Sequence, residues 1–218
     1  MDMDHTAQRI KSFFAQFPTK SYRAGETILM PHDNIDAIYY IESGEIQQYD
    51  IQNSGKHLVV NTYKAGSFIP LTAIFTKDGE QSMWFFDALT AVKVQVAPLQ
   101  HTKKFIEEDS QVLLDFTRRL SSGAAGQQRK LLHIMSGKPK IRIMYELVIL
   151  LKRFGVHDDQ GITITITESQ LAEQTGLSRE TVNRELKALK QAKLITNKYR
   201  KVTAYSIAAI EELLEFEV

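Results

Sequence analysis

Residues 167–194 read TESQLAEQTGLSRETVNRELKALKQAKL, and this stretch decides the fold of the C-terminal part of the chain. The Thr-Glu-Ser-Gln sequence at 167–170 is a capping box, which opens a helix. Gly176-Leu177 predicts a tight turn, and Ser178 is a good N-cap for a second helix. A helix, a short glycine-containing turn and another helix have the spacing of a helix-turn-helix.

The second helix has one apolar and one polar face. Val182, Leu186 and Leu189 fall on a narrow face, which is expected to pack in a core. On the outward face, an arginine can recognise guanine, a carboxylate cytosine and an asparagine adenine in the DNA major groove. The alternative is a solvated helix with i,i+4 pairs such as Glu180 with Arg184. The residues predicted to read bases are Arg179, Glu180, Asn183 and Arg184.

A strand and a hairpin flank these two helices. ITITIT at 162–167 alternates as a strand does, and LITNK and VTAYSI form a hairpin around Tyr199-Arg200-Lys201. Together they predict a winged helix-turn-helix. Between 179 and 201 there are eight Lys or Arg and two Glu, so this segment suits DNA phosphate better than an apolar protein partner, the alternative for such a module. The predicted phosphate contacts are Ser178, Thr181, Lys187, Lys198, Arg200 and Lys201.

The first half of the chain has a β pattern. Short alternating runs separated by Gly and Asp/Asn turns occupy 22–100, which predicts an antiparallel barrel or jelly roll. Short helices are predicted at 6–17 and 100–107. The overall class is α+β, with the antiparallel barrel or jelly roll ahead of the winged helix.

A long helix is predicted at 109–137, and its apolar residues recur every three or four positions. Such a stripe needs a neighbouring helix, in a homodimer or within the chain. Gly137-Lys138-Pro139 ends this helix, and the next is predicted at 139–154. The domains are therefore expected at 1–108, 109–137 and 138–218. The predicted dimer-helix residues are Leu113, Phe116, Leu120, Ala124, Leu131 and Ile134.

The composition excludes several functions. The chain has 218 residues, a formal net charge of +1 and no cysteine, which excludes disulfides, thiol catalysis and Cys-ligated metal centres. It has no P-loop, G-x-S-x-G or HExxH motif, and no H-x-H pair for a cupin-type metalloenzyme. No targeting segment or membrane span is recognisable. We expect a cytoplasmic protein that is not an enzyme.

Three segments carry a family resemblance: IYYIESGEIQQYD, YKAGSFI and LAEQTGLSRETVNRELKALKQAKLI. In this order they resemble bacterial transcription regulators of the Crp/Fnr family, related to the cAMP receptor protein and the fumarate–nitrate regulator. The resemblance implies a cyclic-nucleotide-binding-like β-roll, a dimerisation helix, and a winged helix that binds an inverted repeat of double-stranded DNA as a homodimer. RNA polymerase is then an expected partner.

The resemblance also suggests a half-site. Arg179, Glu180 and Arg184 match the cAMP receptor protein branch, which implies a half-site similar to TGTGA. Asn183 departs from the pattern, because that branch has a tiny residue there and the fumarate–nitrate branch a serine. The base preference at this position is left open.

The sensory pocket departs further from the family. Cyclic-nucleotide binders use a G-E-L-x-x-F…R-S-A cassette, in which the acid holds the ribose and the arginine pairs with the phosphate; here Leu71 replaces the acid and Gln81 the arginine. An unpaired buried phosphate would be costly. We therefore expect weak or no binding of cAMP and cGMP, and predict no cofactor. A haem-dependent or small-molecule-dependent gas or redox sensor of the same family is the alternative. The degenerate pocket comprises Pro70, Leu71, Gln81, Ser82, Ala125 and Gly126.

Overall fold

The computed structural model describes residues 2–77 and 80–217, with side chains for 5–77 and 80–215. Two compact units emerge from the contacts, Met1–Ile51 with Val59–Ala124, and Gln52–Leu58 with Ala125–Val218. No helix in the described ranges is long and apolar enough to cross a membrane.

The first unit is built from short strands that the alternating sequence favours. They are β1 (Thr19–Tyr22), β2 (Thr27–Leu29), β3 (Ala37–Ser43), β4 (Glu45–Ile51), β5 (His57–Lys64), β6 (Phe68–Ile69), β7 (Phe85–Ala88) and β8 (Val92–Pro98). Two four-stranded sheets result, in the orders β1-β8-β3-β6 and β2-β7-β4-β5. Neighbours such as β3 and β8 run antiparallel. The predicted antiparallel β-roll is confirmed.

Two short α-helices and a 3-10 helix belong to the same unit. They are α1 (Asp2–Phe14), the 3-10 helix (Leu71–Phe75) and α2 (Leu99–Glu107). The first helix therefore ends three residues before the predicted Phe17, where a turn follows. Ile10 and Phe14 of α1 are buried beside Ile38 of β3, so this helix covers one of the two cores of the unit.

The long helix α3 (Ser110–Met135) starts in the first unit and ends in the second. Phe116, predicted on the dimer seam, is completely buried instead, with its ring 4.7 Å from that of Phe68. Phe68 also lies under the Arg119 guanidinium, at 5.2 Å. Periodicity alone placed Phe116 on the stripe, but the β-roll offers it an aromatic core. The exposed face of α3 thus excludes Phe116.

In the second unit, the C-terminal part of α3 packs on α4 (Pro139–Phe154), whose predicted bounds are confirmed. Lys130 pairs with the buried Glu146 at 3.3 Å, and the Tyr145 hydroxyl donates to the carbonyl of Gly126 at 3.2 Å. Burial raises the pKa of Glu146, and the Lys130 charge offsets part of that rise. A polar seam therefore joins the two helices.

The remaining elements complete the second unit. They are β9 (Val156–Asp158), β10 (Gly161–Thr165), α5 (Glu168–Thr175), α6 (Arg179–Gln191), β11 (Ile195–Lys198), β12 (Lys201–Ala204) and α7 (Ile207–Glu217). The sheet order is β11-β12-β10-β9. The polar segment HDDQG at 157–161 is partly strand, because β9 pairs with β10 from Val156 to Asp158. The apolar side of α4 and Ile210 of α7 share the core of this unit.

The turn between β3 and β4 is closely packed at Gly44. Its φ is +89°, and a Cβ there would lie 2.3 Å from the carbonyl oxygen of Ala91. Gly25 has a similar φ of +86° with nothing within 4 Å of such a Cβ. We expect Gly25→Ala to lower the free energy of unfolding by about 1–2 kcal/mol through backbone strain alone, and Gly44→Ala by a further ~1–3 kcal/mol through overpacking.

Urea unfolding of both variants measures this difference. Equal losses of unfolding free energy in Gly25→Ala and Gly44→Ala would contradict the close approach of Gly44 to Ala91.

Candidate nucleic-acid interface

The helix-turn-helix begins at the predicted capping box. The Thr167 side chain accepts a hydrogen bond from the Gln170 backbone N–H at 3.1 Å, and the Gln170 side chain accepts from the Thr167 backbone N–H at 2.9 Å. Two N–H groups that the helix leaves unpaired are thereby satisfied. α5 ends at Thr175 and is capped by Gly176, whose φ of +71° is the left-handed conformation that glycine adopts readily. Both sequence predictions are confirmed.

The second helix, α6, is fixed by its cap and its buried face. The Ser178 hydroxyl accepts from the Thr181 backbone N–H at 3.2 Å. Val182, Leu186 and Leu189 are at most 2% exposed, as the sequence predicted. Because these three side chains are held in the core, the opposite face of α6 must point outward.

The predicted base-reading residues lie on that outward face. Arg179, Glu180 and Arg184 are exposed and Asn183 is half-buried. Arg184 donates from Nε and Nη2 to the same carboxylate oxygen of Glu185, at 3.0 and 2.8 Å. Its partner is thus the adjacent glutamate and not Glu180, the i,i+4 partner of the sequence alternative.

Glu180 keeps its charge at the N-terminal end of α6. Hydrogen bonds from its own backbone N–H and from the Ser178 hydroxyl, followed by the charge of Arg179, lower the pKa of the Glu180 carboxyl. A carboxylate can accept a hydrogen bond from an exposed amino group such as cytosine N4. Glu180 thus places a hydrogen-bond acceptor on the outward face of α6.

The sequence prediction missed Glu168, the first residue of α5. Its Oε1 accepts a hydrogen bond from Asn183 Nδ2 at 2.7 Å, and its Oε2 lies 3.5 Å from Arg179 Nε. Glu168 was included only in the capping sequence, and nothing in the pattern pointed toward α6. The contact depends on how α5 and α6 cross, which the linear spacing does not specify.

The hairpin of β11 and β12 forms the predicted wing. Its two-residue turn is Tyr199-Arg200, with φ of 29° and 60°, and Lys198 pairs with Lys201 across it. Positive φ values at residues other than glycine cost about 1–2 kcal/mol each. The core does not bury this tip, since Tyr199 is 90% exposed. The strained turn holds a basic tip in solvent.

A cleft of about 360 Å³ separates the wing from the two helices. Its lining combines the Glu168 carboxylate with hydrogen-bond donors, which are hydroxyl residues at the start of α5 and arginines of α6 and the wing. Such donors suit a sugar–phosphate chain. The polar lining residues are Thr167, Glu168, Ser169, Arg179, Asn197, Tyr199 and Arg200.

Within the β-roll, the residues at the cassette positions serve structural roles. The Ser82 hydroxyl, which is buried, donates to the Trp84 carbonyl at 2.8 Å. The Gln81 amide reaches Asn34 at 3.4 Å, and Leu71 packs against the core. None of these side chains, nor the buried Pro70, carries a charge that could pair with a cyclic phosphate. These residues therefore do not fit a cyclic nucleotide.

The two helix positions of the predicted pocket lie on α3. Ala125 is exposed, and Gly126 is half-buried with its carbonyl bonded to Tyr145. Neither has a side-chain hydroxyl. Among the described residues, the structure shows no group of three or more His, Asp or Glu that could hold a metal ion.

The other predicted dimer-helix residues leave an apolar surface on α3. Leu113 is 40% exposed, Leu131 55% and Ile134 38%. Ala124 is exposed and Leu120 half-buried. Leu132 and Met135, at 60% and 72%, extend the surface beyond the predicted stripe.

Two helices joined by a glycine turn, an outward face of base-reading residue types and a basic wing define a winged helix-turn-helix transcription regulator. The comparisons with known proteins agree. The model for the Crp-like helix-turn-helix domain matches residues 141–216, and that for the cyclic nucleotide-binding domain matches residues 19–109. The chain belongs to the Crp/Fnr family of transcription regulators.

Curated relatives share about a quarter of the residues. The transcriptional regulator SdrP of Thermus thermophilus is 26% identical over 200 residues, which cover 90% of this chain and 94% of that protein. The global nitrogen regulator of Nostoc sp. is 24% identical over 188 residues, covering 85% and 84%. Both similarities extend across the β-roll and the winged helix.

Solved structures share the fold. A CRP/FNR-family transcriptional regulator of Thermus thermophilus has a TM-score of 0.75 at 24% identity, with 91% of this chain and 98% of that one covered. The c-di-GMP responsive global regulator CLP of Xanthomonas campestris has a TM-score of 0.78 at 20% identity, with 92% and 99% covered. These relatives are regulators and belong to a class without enzymatic activity.

Proposed function

We propose that the protein is a homodimeric transcription regulator that reads an inverted repeat of double-stranded DNA with α6 and does so without cAMP. The observation that carries this proposal is the orientation of α6. Its apolar side is buried while Arg179, Glu180 and Arg184 face solvent. RNA polymerase is the proposed partner in transcription.

Base recognition is assigned to the outward face of α6. Arg184 has a planar guanidinium that can donate two hydrogen bonds to guanine O6 and N7, and Glu180 can accept from cytosine N4. Asn183 offers the amide that adenine requires. Together with Arg179, these residue types support a half-site similar to TGTGA.

Phosphate contacts are assigned to the cap of α6, to the end of its outward face and to the wing. Lys187, Lys198, Arg200 and Lys201 are exposed cations, and Ser178 and Thr181 contribute hydroxyls at the start of α6. Phosphates carry no sequence information, so these contacts strengthen binding to any duplex and weaken as salt rises.

Dimerisation is assigned to the exposed side of α3. In a single chain, Leu131, Leu132 and Met135 are largely exposed to water. Burying these apolar side chains in an interface would be favourable in free energy. A second copy of the same helix offers a matching apolar surface. We keep the domains proposed from the sequence, a β-roll at 1–108, a dimerisation helix at 109–137 and a DNA-binding domain at 138–218. A two-fold dimer places two half-sites about one helical turn apart.

Two substitutions test the base-reading assignment. Arg184→Ala should cost about 1–3 kcal/mol on a TGTGA-N6-TCACA duplex and relax base choice, because a guanine contact is lost. Lys201→Ala should weaken binding to this duplex and to a scrambled one equally, because it removes a phosphate contact. Fluorescence anisotropy at fixed physiological salt measures both. Equal losses on the two duplexes for Arg184→Ala would count against the assignment.

Isothermal titration calorimetry tests the response to cAMP. We expect no saturable binding at concentrations up to about 1 mM, equivalent to less than ~4 kcal/mol of binding free energy, because Leu71 and Gln81 leave the phosphate unpaired. The double substitution Leu71→Glu with Gln81→Arg is expected to increase affinity. Micromolar binding by the unmodified protein would show that another group pairs with the phosphate.

Substituting a lysine on the apolar side of α3 tests whether this surface forms the dimer interface. Leu131→Lys would place a charge in the proposed seam, where burying it without a partner is costly, so we expect the variant to dissociate at least tenfold more readily. Ser122→Lys adds the same residue at an exposed position on the opposite side of α3 and serves as the control. Sedimentation equilibrium gives the dimer constants. An unchanged constant for Leu131→Lys would place the interface elsewhere.

A further inference from the structure

One carboxylate of α5 contacts two of the proposed reading residues of α6. Glu168 Oε1 accepts from Asn183 Nδ2 at 2.7 Å, and Glu168 Oε2 lies 3.5 Å from Arg179 Nε. The Glu168 side chain is 26% exposed and that of Arg179 68%. Glu168 therefore lies at the edge of the outward face of α6, which we call the reading face. It can influence which hydrogen-bonding groups Asn183 and Arg179 present to DNA.

The chemistry of the contact fixes which way the Asn183 amide points. A carboxylate has acceptor oxygens only, so the NH₂ group of Asn183 must face Glu168 and the carbonyl oxygen Oδ1 must face away. The flipped amide would place two acceptors against each other. Asn183 thus keeps Oδ1 and one N–H for a further partner.

That remaining pair of groups matches adenine. In the major groove, adenine presents the acceptor N7 and the donor N6, which a bidentate asparagine satisfies with its N–H and Oδ1. We propose that Glu168 is a specificity-determining residue that acts by positioning: it orients the Asn183 amide so that α6 prefers adenine at the base pair facing Asn183. This inference rests on the proposed reading of DNA by α6.

Glu168 also has a structural role to be separated from this one. It is the acidic residue in the first turn of α5, where a negative charge is favourable to the helix dipole. An aspartate at 168 would keep the charge but shorten the reach toward Asn183. A purely structural role would therefore survive Glu168→Asp, whereas orientation of the amide would not.

The experiment compares base preference, which helix stability alone does not determine. Anisotropy titrations of the full-length protein use duplexes with all four base pairs at each half-site position. The base pair that faces Asn183 is identified as the half-site position at which Asn183→Ala no longer discriminates between bases, and is called the Asn183 position. There the unmodified protein should prefer adenine by at least about fivefold. Glu168→Gln and Glu168→Asp should each lose half or more of that preference and keep the preferences at other positions.

Two controls isolate the contact. Glu173→Gln removes the same charge from the same helix, and in the part of the chain that the structure describes Glu173 bonds to neither Asn183 nor Arg179. It should leave base preference unchanged. With Asn183→Ala already present, Glu168→Gln should cause no further loss at this position, because the two act through one contact. Thermal unfolding confirms that each variant folds.

The outcomes are distinct. Full adenine preference in either Glu168 variant, or a preference of the unmodified protein for another base at this position, overturns the role of Glu168 and leaves the proposed function standing. Failure of the unmodified protein to discriminate at any position of the half-site overturns the proposed function, and this inference with it. If Glu168→Gln and Glu168→Asp both lose adenine preference at the Asn183 position and keep their preferences at all other positions, the inference is supported.

Discussion

Burial of Val182, Leu186 and Leu189 is the constraint on which the functional surface depends. These side chains occupy the core of the second unit together with residues of α4 and α5. A helix anchored along one side cannot rotate about its axis, so the residues on the opposite side are fixed in direction. The hydrophobic core thereby decides which side chains of α6 face a ligand, although Val182, Leu186 and Leu189 themselves have no polar group to offer one.

Much of this could be predicted from the sequence because the signals are local. The Thr167–Gln170 capping box, the Ser178 cap and the left-handed Gly176 lie within a few residues of the atoms that they bond. The apolar period of α6 likewise reports its burial directly. The family resemblance rested on this segment, in which the local signals are dense, together with two segments of the β-roll.

What the sequence did not reveal depends on pairing between distant residues. The polar strand β1 is only four residues long and pairs with β8, 70 to 76 positions away. β9 was hidden in a polar segment that becomes a strand only by pairing with β10. Phe116 fitted a helical stripe, yet the ring of Phe68 determines its environment. The capping sequence at 167–170 was enough to explain Glu168, so the pattern gave no reason to expect its contact with Asn183.

If α6 reads DNA as proposed, the ion pairs on its outward face affect how the protein searches a chromosome. Arg184 is already bonded to Glu185, and Arg179 lies against Glu168. On an arbitrary sequence, a phosphate must compete with these carboxylates for the arginines, so the reading face adds little to nonspecific attraction. At a matching site, guanine and cytosine edges can replace the same partners. For a regulator that binds DNA as proposed, an internally neutralised face shortens residence at the far more numerous wrong sites, and leaves the unspecific hold on DNA to Lys187, the cap of α6 and the wing.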